Sequence, residues 1–387
     1  MEIKALNSGG SAVFTDDASE AFGTLLASAG KIAVFTGRHS ADTCGAWREF
    51  AAVAKKFRRF SEIEPEPCTD TIQSMIGFLR EFAPDTVVAI GGGSVLDAAK
   101  AAWLAHQSTW PLEKHFGVNA YSSAHPGQRL KRIIAVPLTS GTGSEATPYS
   151  NIVDRRAGVK KLISENEIVP DHFIVSPRFN ATMSRHVTLA TGCDALAHLI
   201  EGFLNIRADG NHPDANKWAR FGISEIVDAL PRALADGTDL AARNRMARAA
   251  TLGGMVIRFK STGLPHLCSF SWFGRIDHGL AVSLILPAAW RYYLGVEQVA
   301  NRTMELAKVF PGSTPEEVVV SYRKFLTSVG VPASLRDYPE ITPELLDFTA
   351  RSGAQNKMKL ELAPRPVPLA ESETILSRIL KKAYCGE

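Results

Sequence analysis

A carboxylate and an imidazole stand four residues apart in the apolar segment GCDALAHLIEGF, residues 192–203. Four residues are slightly more than one helical turn, so Asp194 and His198 point to the same side of a predicted helix. A buried ionisable group without a partner is costly in free energy, which predicts a partner for this pair. A metal ion, a neighbouring side chain and water are all candidates for that partner.

Two further histidines follow in the segment 263–287, where His266 and His278 stand twelve residues apart. One carboxylate and three imidazoles make a four-ligand set for a first-row divalent metal such as Fe²⁺, Zn²⁺, Mn²⁺ or Co²⁺. A single histidine is more commonly a hydrogen-bonded core or surface residue. The spacing predicts a metal site only if the four side chains converge in the fold.

Three glycines follow a predicted strand and precede a predicted helix in GGGSVLDAAK, residues 91–100. Glycine lets the backbone approach a ligand closely, and a helix N-terminus offers free N–H groups to an anion. The pyrophosphate of a dinucleotide is the expected anion. The alternative is a tight turn without a ligand, because the pattern is not GxGxxG.

A second loop, LTSGTGSEATPYS at 138–150, follows the next predicted strand. Its hydroxyl groups, on Thr139, Ser140, Thr142 and Ser144, can donate to a phosphate or a ribose. Alone, the loop is an ordinary polar loop. Together with the glycine loop it predicts a nucleotide site.

The segment TGRHS, residues 36–40, ends the first clear strand. An acidic residue at this point would bind the adenosine ribose and repel a 2′-phosphate. The chain instead has Gly37, Arg38, His39 and Ser40, a small, cationic and hydroxyl set that would accept a phosphate. The segment therefore favours NADP over NAD, unless it is a solvent-exposed strand end without cofactor contact.

The elements that carry these residues change character near residue 182. Before it, strands that begin near residues 31, 85 and 132 alternate with helices over 46–57 and 95–105, which predicts a parallel α/β sheet. After it, helical patterns dominate. We predict an α/β dinucleotide-binding domain at 1–181 and an all-helical metal and substrate domain at 182–387. Helices are predicted over 186–205, 216–237, 240–260, 316–330 and 373–386, and an extended Pro-containing segment over 359–371.

The composition excludes several classes of protein. A formal net charge of +3 over 387 residues does not predict a nucleic-acid or membrane partner. Five scattered cysteines without a CxxC pair argue against a disulfide framework and fit a reducing compartment. The first residues show no secretory signal, and no segment approaches the ~20 apolar residues of a membrane span, so we expect a cytoplasmic protein.

Four motifs in one order, GGGSVLDAAK, TSGTGSEATPYS, DALAHLIEGF and HG-x-A-x-x-LILP, resemble the iron-containing (group III) alcohol dehydrogenase family over essentially the whole chain. The resemblance implies the two domains just described, in a dehydroquinate synthase-like architecture with an active site in the cleft between them. It aligns Asp194, His198, His266 and His278 with catalytic metal ligands. The implied cofactor-binding residues are Gly91, Gly92, Gly93, Ser94 and Asp97, then Thr139, Ser140, Thr142, Ser144 and Lys160, and the NADP-type Gly37, Arg38, His39 and Ser40.

The implied reaction is hydride transfer between NADP(H), or NAD(H), and a small alcohol or aldehyde that is bound at a divalent metal. Fe²⁺ is the metal that the resemblance implies first, with Zn²⁺ or Mn²⁺ as alternatives, and the implied assembly is a homodimer. Phe270 stands where some members have a histidine, so a proton relay at that position is absent. With Arg258, Lys260 and Arg275 it is predicted to line the substrate pocket. These cations predict an anionic aldehyde or keto acid, such as a phosphonate or carboxylate, unless they are solvated or paired.

Two other functions fit part of the same pattern. A metal- and NAD-dependent lyase or cyclase of the dehydroquinate synthase kind has a similar architecture, but shows no net consumption of reduced cofactor. A metal hydrolase without a nucleotide would leave the two phosphate-type loops unexplained.

Overall fold

The structure is a computed structural model that describes residues 11–128 and 130–387. The expectation of no secretory signal rests in part on residues 1–10, which lie outside the described residues. The described strands are β1 (Ser11–Phe14), β2 (Ile32–Gly37), β3 (Phe57–Ile63), β4 (Thr86–Gly91), β5 (Gly117–Val118), β6 (Ile133–Pro137), β7 (Tyr149–Asp154), β8 (Val159–Ser164) and β9 (His172–Val175).

The described helices number seventeen, with short 3₁₀ segments between some of them. They are α1 (Ala18–Leu26), α2 (Ser40–Thr43), α3 (Ala46–Val53), α4 (Thr69–Phe82), α5 (Gly93–His106), α6 (Ala120–Ala124), α7 (Pro177–Asn180), α8 (Arg185–Leu204), α9 (Ala215–Ala235), α10 (Leu240–Lys260), α11 (Leu264–Ser269), α12 (His278–Tyr293), α13 (Glu297–Met304), α14 (Pro315–Val329), α15 (Pro343–Gly353), α16 (Lys357–Leu362) and α17 (Ser372–Cys385).

The chain divides into two compact units. Unit 1 comprises Met1–Ser184 and Gly237–Gly254, and unit 2 comprises Arg185–Asp236 and Met255–Glu387. The domain boundary that we propose from the sequence, 181/182, lies close to Ser184.

Unit 1 contains a parallel sheet of the order β1-β9-β6-β4-β2-β3, which confirms the predicted α/β class. Alternate strand residues enter different apolar layers: Ala33 and Phe35 belong to one core cluster, Ile32 and Val34 to the other. Both faces of the sheet are therefore buried, as expected for a parallel sheet with helical crossovers. The carboxyl ends of β2, β4 and β6, three neighbouring strands, carry the three predicted cofactor segments.

Two features of unit 1 differ from the prediction. The helix predicted over 46–57 ends at Val53, because Phe57 begins the edge strand β3 and pairs with Ile32 of β2. A second, smaller sheet of the order β5-β8-β7 contains an antiparallel pair that the sequence patterns did not indicate.

Unit 2 is helical, as predicted, and its central element is α8. This helix packs against α9 and α12 and is buried over nearly all of its length. It is long and apolar enough to cross a membrane, with a mean hydropathy of 1.2 over an 18-residue window, but 89% of that window is buried inside the fold. The apolar composition therefore has a sufficient explanation in the core of unit 2.

The segment predicted to be extended, 359–371, begins inside a helix instead. Helix α16 covers Lys357–Leu362, and the side chain of Asn356 caps it by accepting a hydrogen bond from the backbone N–H of Lys359 at 3.1 Å. The prolines lie after Leu362, so they end this helix rather than prevent it.

Candidate active site

Helix α8 brings the first two predicted metal ligands together. Asp194 and His198 are one helical turn apart, and Nε2 of His198 lies 3.7 Å from Oδ1 of Asp194. Both side chains are 5% exposed. The spacing in the sequence therefore places both groups at one buried point, as the 3.6-residue period requires.

The two remaining histidines reach the same carboxylate oxygen from other helices. Nε2 of His266, on α11, lies 3.6 Å from Oδ1 of Asp194, and Nε2 of His278, at the start of α12, lies 3.7 Å from it. Gly279 allows this approach, because a Cβ atom there would lie 2.0 Å from the carbonyl oxygen of Ala190 and 2.7 Å from Cβ of Asp194. The structure thus brings three imidazole Nε2 atoms to within 3.7 Å of one oxygen of Asp194. The ligand atoms of Asp194, His266 and His278 all lie within 4.8 Å of one another, a group that does not include His198.

Hydrogen bonds orient two of the imidazoles. Nδ1 of His266 bonds a carboxylate oxygen of Glu201, which can only accept, so Nδ1 carries a proton and the neutral form of the ring has its lone pair at Nε2. Ser269 donates its hydroxyl proton to the carbonyl of His266 at 2.8 Å, so it must accept from Nδ1 of His278 at 3.1 Å. In their neutral forms, which a bound metal ion requires, both rings therefore present an unprotonated Nε2 toward Asp194.

The donor set fits a divalent metal ion. Oδ1 of Asp194 and Nε2 of His266 are buried and have no hydrogen-bond partner among the described residues. Separations of 3.6–3.7 Å are too long for hydrogen bonds between these atoms. Donors about 2.0–2.2 Å from one tetrahedral ion lie roughly 3.3–3.6 Å from one another, close to the separations observed.

The ionisable groups of this cluster act strongly on one another. Burial raises the pKa of Asp194, but the positive charges of the neighbouring imidazoles, led by His198, outweigh it and hold the pKa well below its ordinary value. Burial lowers the pKa of His266, but the negative charge of Glu201 outweighs it and raises the pKa to about 9. Such coupling among buried groups is typical of functional sites.

In unit 1, the glycine loop packs directly on the second predicted loop. A Cβ atom on Gly93 would lie 2.5 Å from Cγ2 of Thr142, and one on Gly92 would lie 3.2 Å from Cγ2 of Thr139. Gly92 is also the N-cap of α5 and has no side chain to occupy the first N–H groups of that helix. The geometry supports an anion-binding helix end bordered by hydroxyl groups.

The predicted polar residues of these loops fall into two groups. Ser140 is 1% exposed, and its hydroxyl has no hydrogen-bond partner among the described residues. The hydroxyl of Ser144, in contrast, donates to Asp97 at 2.5 Å and accepts from the buried Lys100 at 2.7 Å. Asp97 also accepts from the N–H of Asn151 at 2.9 Å, so Ser144 and Asp97 hold the loops together.

Lys160 is connected to the glycine loop through Glu66. Its ammonium lies 2.6 Å from the Glu66 carboxylate, and the backbone N–H of Glu66 donates to the hydroxyl of Ser94 at 3.1 Å. Glu66 adopts a left-handed backbone conformation, with φ of 55°, which is uncommon for this residue type. The structure thus places Lys160 and Ser94 in one chain of contacts.

The segment 36–40 lies at the carboxyl end of β2, where Thr36 is buried, Gly37 is half-buried and residues 38–40 are exposed. Gly37 is next to the hydroxyl of Ser40, which would lie 3.3 Å from a Cβ atom on the glycine. Arg38 is exposed and pairs with Glu62 at 2.9 Å, while His39 is exposed at the start of α2. No carboxylate belongs to this segment itself.

The predicted substrate residues occupy different environments in unit 2. Lys260 is buried and forms a 2.5 Å ion pair with Asp209, which also binds Arg302. Arg258 lies over the ring of Phe259, and Arg275 is exposed. Phe270 ends α11 in a partly buried position.

Three residues that shape the metal cluster were not predicted from the sequence: Glu201, Ser269 and Gly279. Glu201 could have been found, because it lies three residues after His198 on the same predicted helix face. It accepts from the N–H of Gly263 at 2.6 Å as well as from His266. Ser269 and Gly279 carry no such signal, since their contacts join residues on different elements.

Comparisons with known proteins show which family the chain matches. The family model described as iron-containing alcohol dehydrogenase matches residues 10–177, and its C-terminal family matches residues 188–384. The chain is 30% identical to 1-propanol dehydrogenase PduQ of Salmonella typhimurium over 83% of this chain and 85% of that protein.

Solved structures share the fold. An alcohol dehydrogenase from an archaeon of a Red Sea brine pool superposes with a TM-score of 0.86 at 22% identity, over 99% of both chains. A sulfoacetaldehyde reductase from Bifidobacterium kashiwanohense, solved with NAD⁺, has a TM-score of 0.81 at 23% identity, over 96% of this chain and 97% of that one.

Proposed function

Because the chain belongs to the iron-containing alcohol dehydrogenase family, and is therefore an oxidoreductase that acts on CH–OH groups, we propose that it reduces a small anionic aldehyde or keto acid with NADPH. The main observation behind this proposal is the buried cluster in which three Nε2 atoms surround Oδ1 of Asp194, an oxygen without a hydrogen-bond partner among the described residues. Asp194, His198, His266 and His278 would hold the metal, with Fe²⁺ preferred and Zn²⁺ or Mn²⁺ acceptable.

The roles of the chain's own groups follow from the geometry. A divalent metal at the cluster supplies Lewis-acid polarisation of the substrate carbonyl, and the nicotinamide supplies the hydride. Glu201 and Ser269 fix the tautomers of His266 and His278, so that both rings offer a lone pair at Nε2. Phe270 offers no proton, so we assign proton delivery to water or a cofactor hydroxyl.

We propose that the glycine loop and the second loop bind the pyrophosphate and ribose of the cofactor. The unpartnered hydroxyl of Ser140 and the uncapped start of α5 support this assignment. The preference for NADP rests on Gly37, Arg38, His39 and Ser40, because this segment has no carboxylate to repel a 2′-phosphate and because its exposed Arg38, which pairs with Glu62, can turn to the phosphate.

The anionic substrate class is supported by a basic segment next to the metal ligands, in which Lys260 is paired with Asp209 and Arg258 lies over the ring of Phe259. The segment RFKST directly precedes the turn that leads to His266. A protein of the same fold, the sulfoacetaldehyde reductase above, acts on an aldehyde that carries a sulfonate. We therefore expect an aldehyde with a carboxylate, sulfonate or phosphonate close to its carbonyl group.

The test is an assay of the purified protein, loaded separately with Fe²⁺, Zn²⁺ and Mn²⁺. NADPH oxidation at 340 nm is followed with anionic and neutral aldehydes, and with NADH in place of NADPH. We expect metal-dependent oxidation of NADPH that a chelator abolishes. If the protein binds NADPH or NADH but oxidises neither with any of the aldehydes, the lyase or cyclase alternative is favoured instead.

We also propose a cytoplasmic homodimer. All five cysteines are free thiols, which suits a reducing compartment. Strand β1 lies at one edge of the sheet and pairs only with β9 among the described strands, so it offers an open edge to a second copy. Light scattering of the purified protein measures the mass; a monomer at micromolar concentration would contradict the proposal.

A further inference from the structure

Lys359 is a buried lysine of unit 2 whose ammonium has only neutral hydrogen-bond acceptors. It is 7% exposed, and its ammonium donates to the hydroxyl of Ser261 at 3.0 Å and to the carbonyl and hydroxyl of Thr262 at 3.0 and 2.7 Å. All three acceptors are neutral, and Lys359 forms no ion pair within residues 11–128 and 130–387. Burial of an unpaired charge is unfavourable, so a missing counter-ion is expected.

The other cations of the region do not share this property. Lys260 is equally buried, but its charge is balanced by Asp209 at 2.5 Å. Arg275 is exposed, so water solvates its guanidinium. Lys359 is therefore better suited to bind an added anion than either of these predicted residues.

The position of Lys359 connects it to the metal cluster. Ser261 and Thr262, which bind its ammonium, immediately precede the turn into α11, and α11 carries His266. Helix α16, which carries Lys359, packs against α11. Glu201 binds His266 directly and also acts electrostatically on Lys359, so both groups lie within reach of one carboxylate.

The backbone at this contact is strained. Ser261 has φ of 61°, in the left-handed region that residues other than glycine rarely adopt. Its N–H still bonds the carbonyl of Ile257 at 2.9 Å, so α10 ends in this conformation. Such outliers persist where the surrounding structure fixes them, and they concentrate at binding and catalytic sites.

We propose that Lys359 is a specificity-determining residue whose positive charge attracts the anionic group of the aldehyde substrate to the hydroxyl groups of Ser261 and Thr262. The inference rests on the proposed function and names the residue responsible for its substrate class. The ammonium provides the positive charge, and the hydroxyl of Thr262, which accepts from Lys359, retains its own proton to donate to an anion oxygen. A carboxylate, a sulfonate and a phosphonate all satisfy this chemistry.

The experiment compares anionic aldehydes with neutral aldehydes of the same shape. Succinic semialdehyde is paired with 4-methylpentanal, and sulfoacetaldehyde with 3,3-dimethylbutanal. The metal-loaded wild type, Lys359→Met, Lys359→Arg and Lys357→Met are assayed with each pair. Lys357 lies on the same helix, but its side chain is 67% exposed and faces Glu361, so it is the matched control.

We expect Lys359→Met to lower kcat/KM for the anionic aldehydes about 100-fold, mainly through KM, and to change the neutral aldehydes less than about threefold. Lys359→Arg should keep most of the anion preference, and Lys357→Met all of it. Equal losses for both members of a pair, together with a lower Tm, would show that Lys359 only supports the turn at 261–262 and would overturn the inference.

Two other outcomes separate the inference from the proposed function. If the wild type prefers the anionic aldehydes and Lys359→Met keeps that preference, Lys359 is not the anion-binding residue, although the substrate class stands. If the wild type reduces both members of each pair equally well, the anionic substrate class fails and the inference fails with it. Should Lys359→Met not fold, Lys359→Gln takes its place, and a folded Lys359→Gln that keeps the full preference for anionic aldehydes would overturn the inference.

Discussion

The metal cluster of unit 2 and the cofactor loops of unit 1 were both predicted from residue types and spacing. In the structure, the predicted metal ligands converge on one point, whereas some of the predicted loop residues form hydrogen bonds with one another. All four predicted metal ligands meet at one oxygen of Asp194. Of the predicted loop residues, Ser140 has an unpartnered hydroxyl, whereas Ser144 and Asp97 bind each other. A histidine or carboxylate in a buried cluster has few other roles, but a hydroxyl in a loop can serve either a ligand or the loop itself.

Removal of a metal ligand should have the largest effect. Asp194→Ala and His198→Ala should lose bound metal, and turnover should fall about a thousandfold, because Lewis-acid stabilisation amounts to several kcal/mol. Binding of NADPH, measured by fluorescence, should change little, since the proposed cofactor loops belong to unit 1. The control is Asp228→Ala, an exposed carboxylate on α9; full metal content in either ligand variant would exclude the site.

A carboxylate at the end of β2 should invert the cofactor preference. In Gly37→Asp, repulsion of the 2′-phosphate should lower kcat/KM for NADPH relative to NADH about 100-fold. Gly37→Asn, of equal size but uncharged, should show a much smaller change in that ratio. If Gly37→Asp leaves the ratio of kcat/KM for NADPH to that for NADH unchanged, the adenosine ribose does not bind at the end of β2.

Loss of an orienting carboxylate should weaken metal binding without abolishing it. Glu201→Gln keeps the size of the side chain, but removes the charge that holds Nδ1–H of His266. We expect about 10- to 100-fold weaker binding, measured by competition with a chelator. Wild-type affinity in a folded Glu201→Gln would show that the packing of α11 alone orients the ring.

A pair of serine variants tests the two groups of loop residues directly. Ser140→Ala should raise the Kd for NADP⁺ about 10- to 100-fold and leave Tm unchanged, because a hydrogen bond to a charged group is worth about 1.5–3 kcal/mol. Ser144→Ala should instead lower Tm, since Lys100 and Asp97 each lose a partner. A lower Tm in Ser140→Ala together with a higher Kd for NADP⁺ in Ser144→Ala would show that Ser144, and not Ser140, binds the cofactor.

The smallest expected effect is a pH dependence confined to anionic substrates. Burial lowers the pKa of Lys359 to about 8, although the attraction of Glu201 opposes this shift. The binding ammonium is present below that pH and is lost above it, so kcat/KM for succinic semialdehyde should fall as pH rises through about 8.

The same pH series with 4-methylpentanal is the control for every other group that titrates. Helix α11, packed against α16, carries His266 and Cys268, and burial raises the pKa of Cys268 to about 12. These groups affect both aldehydes alike. A parallel decline for the two substrates would therefore show that Lys359 is not responsible.

The sequence predicted the fold class and several element bounds well. The helix predicted over 240–260 is α10, and that over 186–205 is α8 shifted by one residue. These elements show strong periodicity, which depends only on near neighbours in the chain. The prediction was wrong for two elements. The short helix that carries Lys359 was missed because prolines follow it closely, and the helix predicted over 46–57 was drawn too long because a strand begins at Phe57.

The sequence by itself determined the ligand types, the shared helix face of Asp194 and His198, and the order of strand, loop and helix around the glycines. These features follow from local geometry, which a residue's neighbours in the chain fix. Only the tertiary structure decided that His266 and His278 reach the same oxygen, that Glu201 and Ser269 select their tautomers, and that Lys359 is buried without an ion-pair partner among the described residues. Those properties depend on the packing of elements far apart in the sequence, which pairs some polar groups and leaves others to bind a ligand.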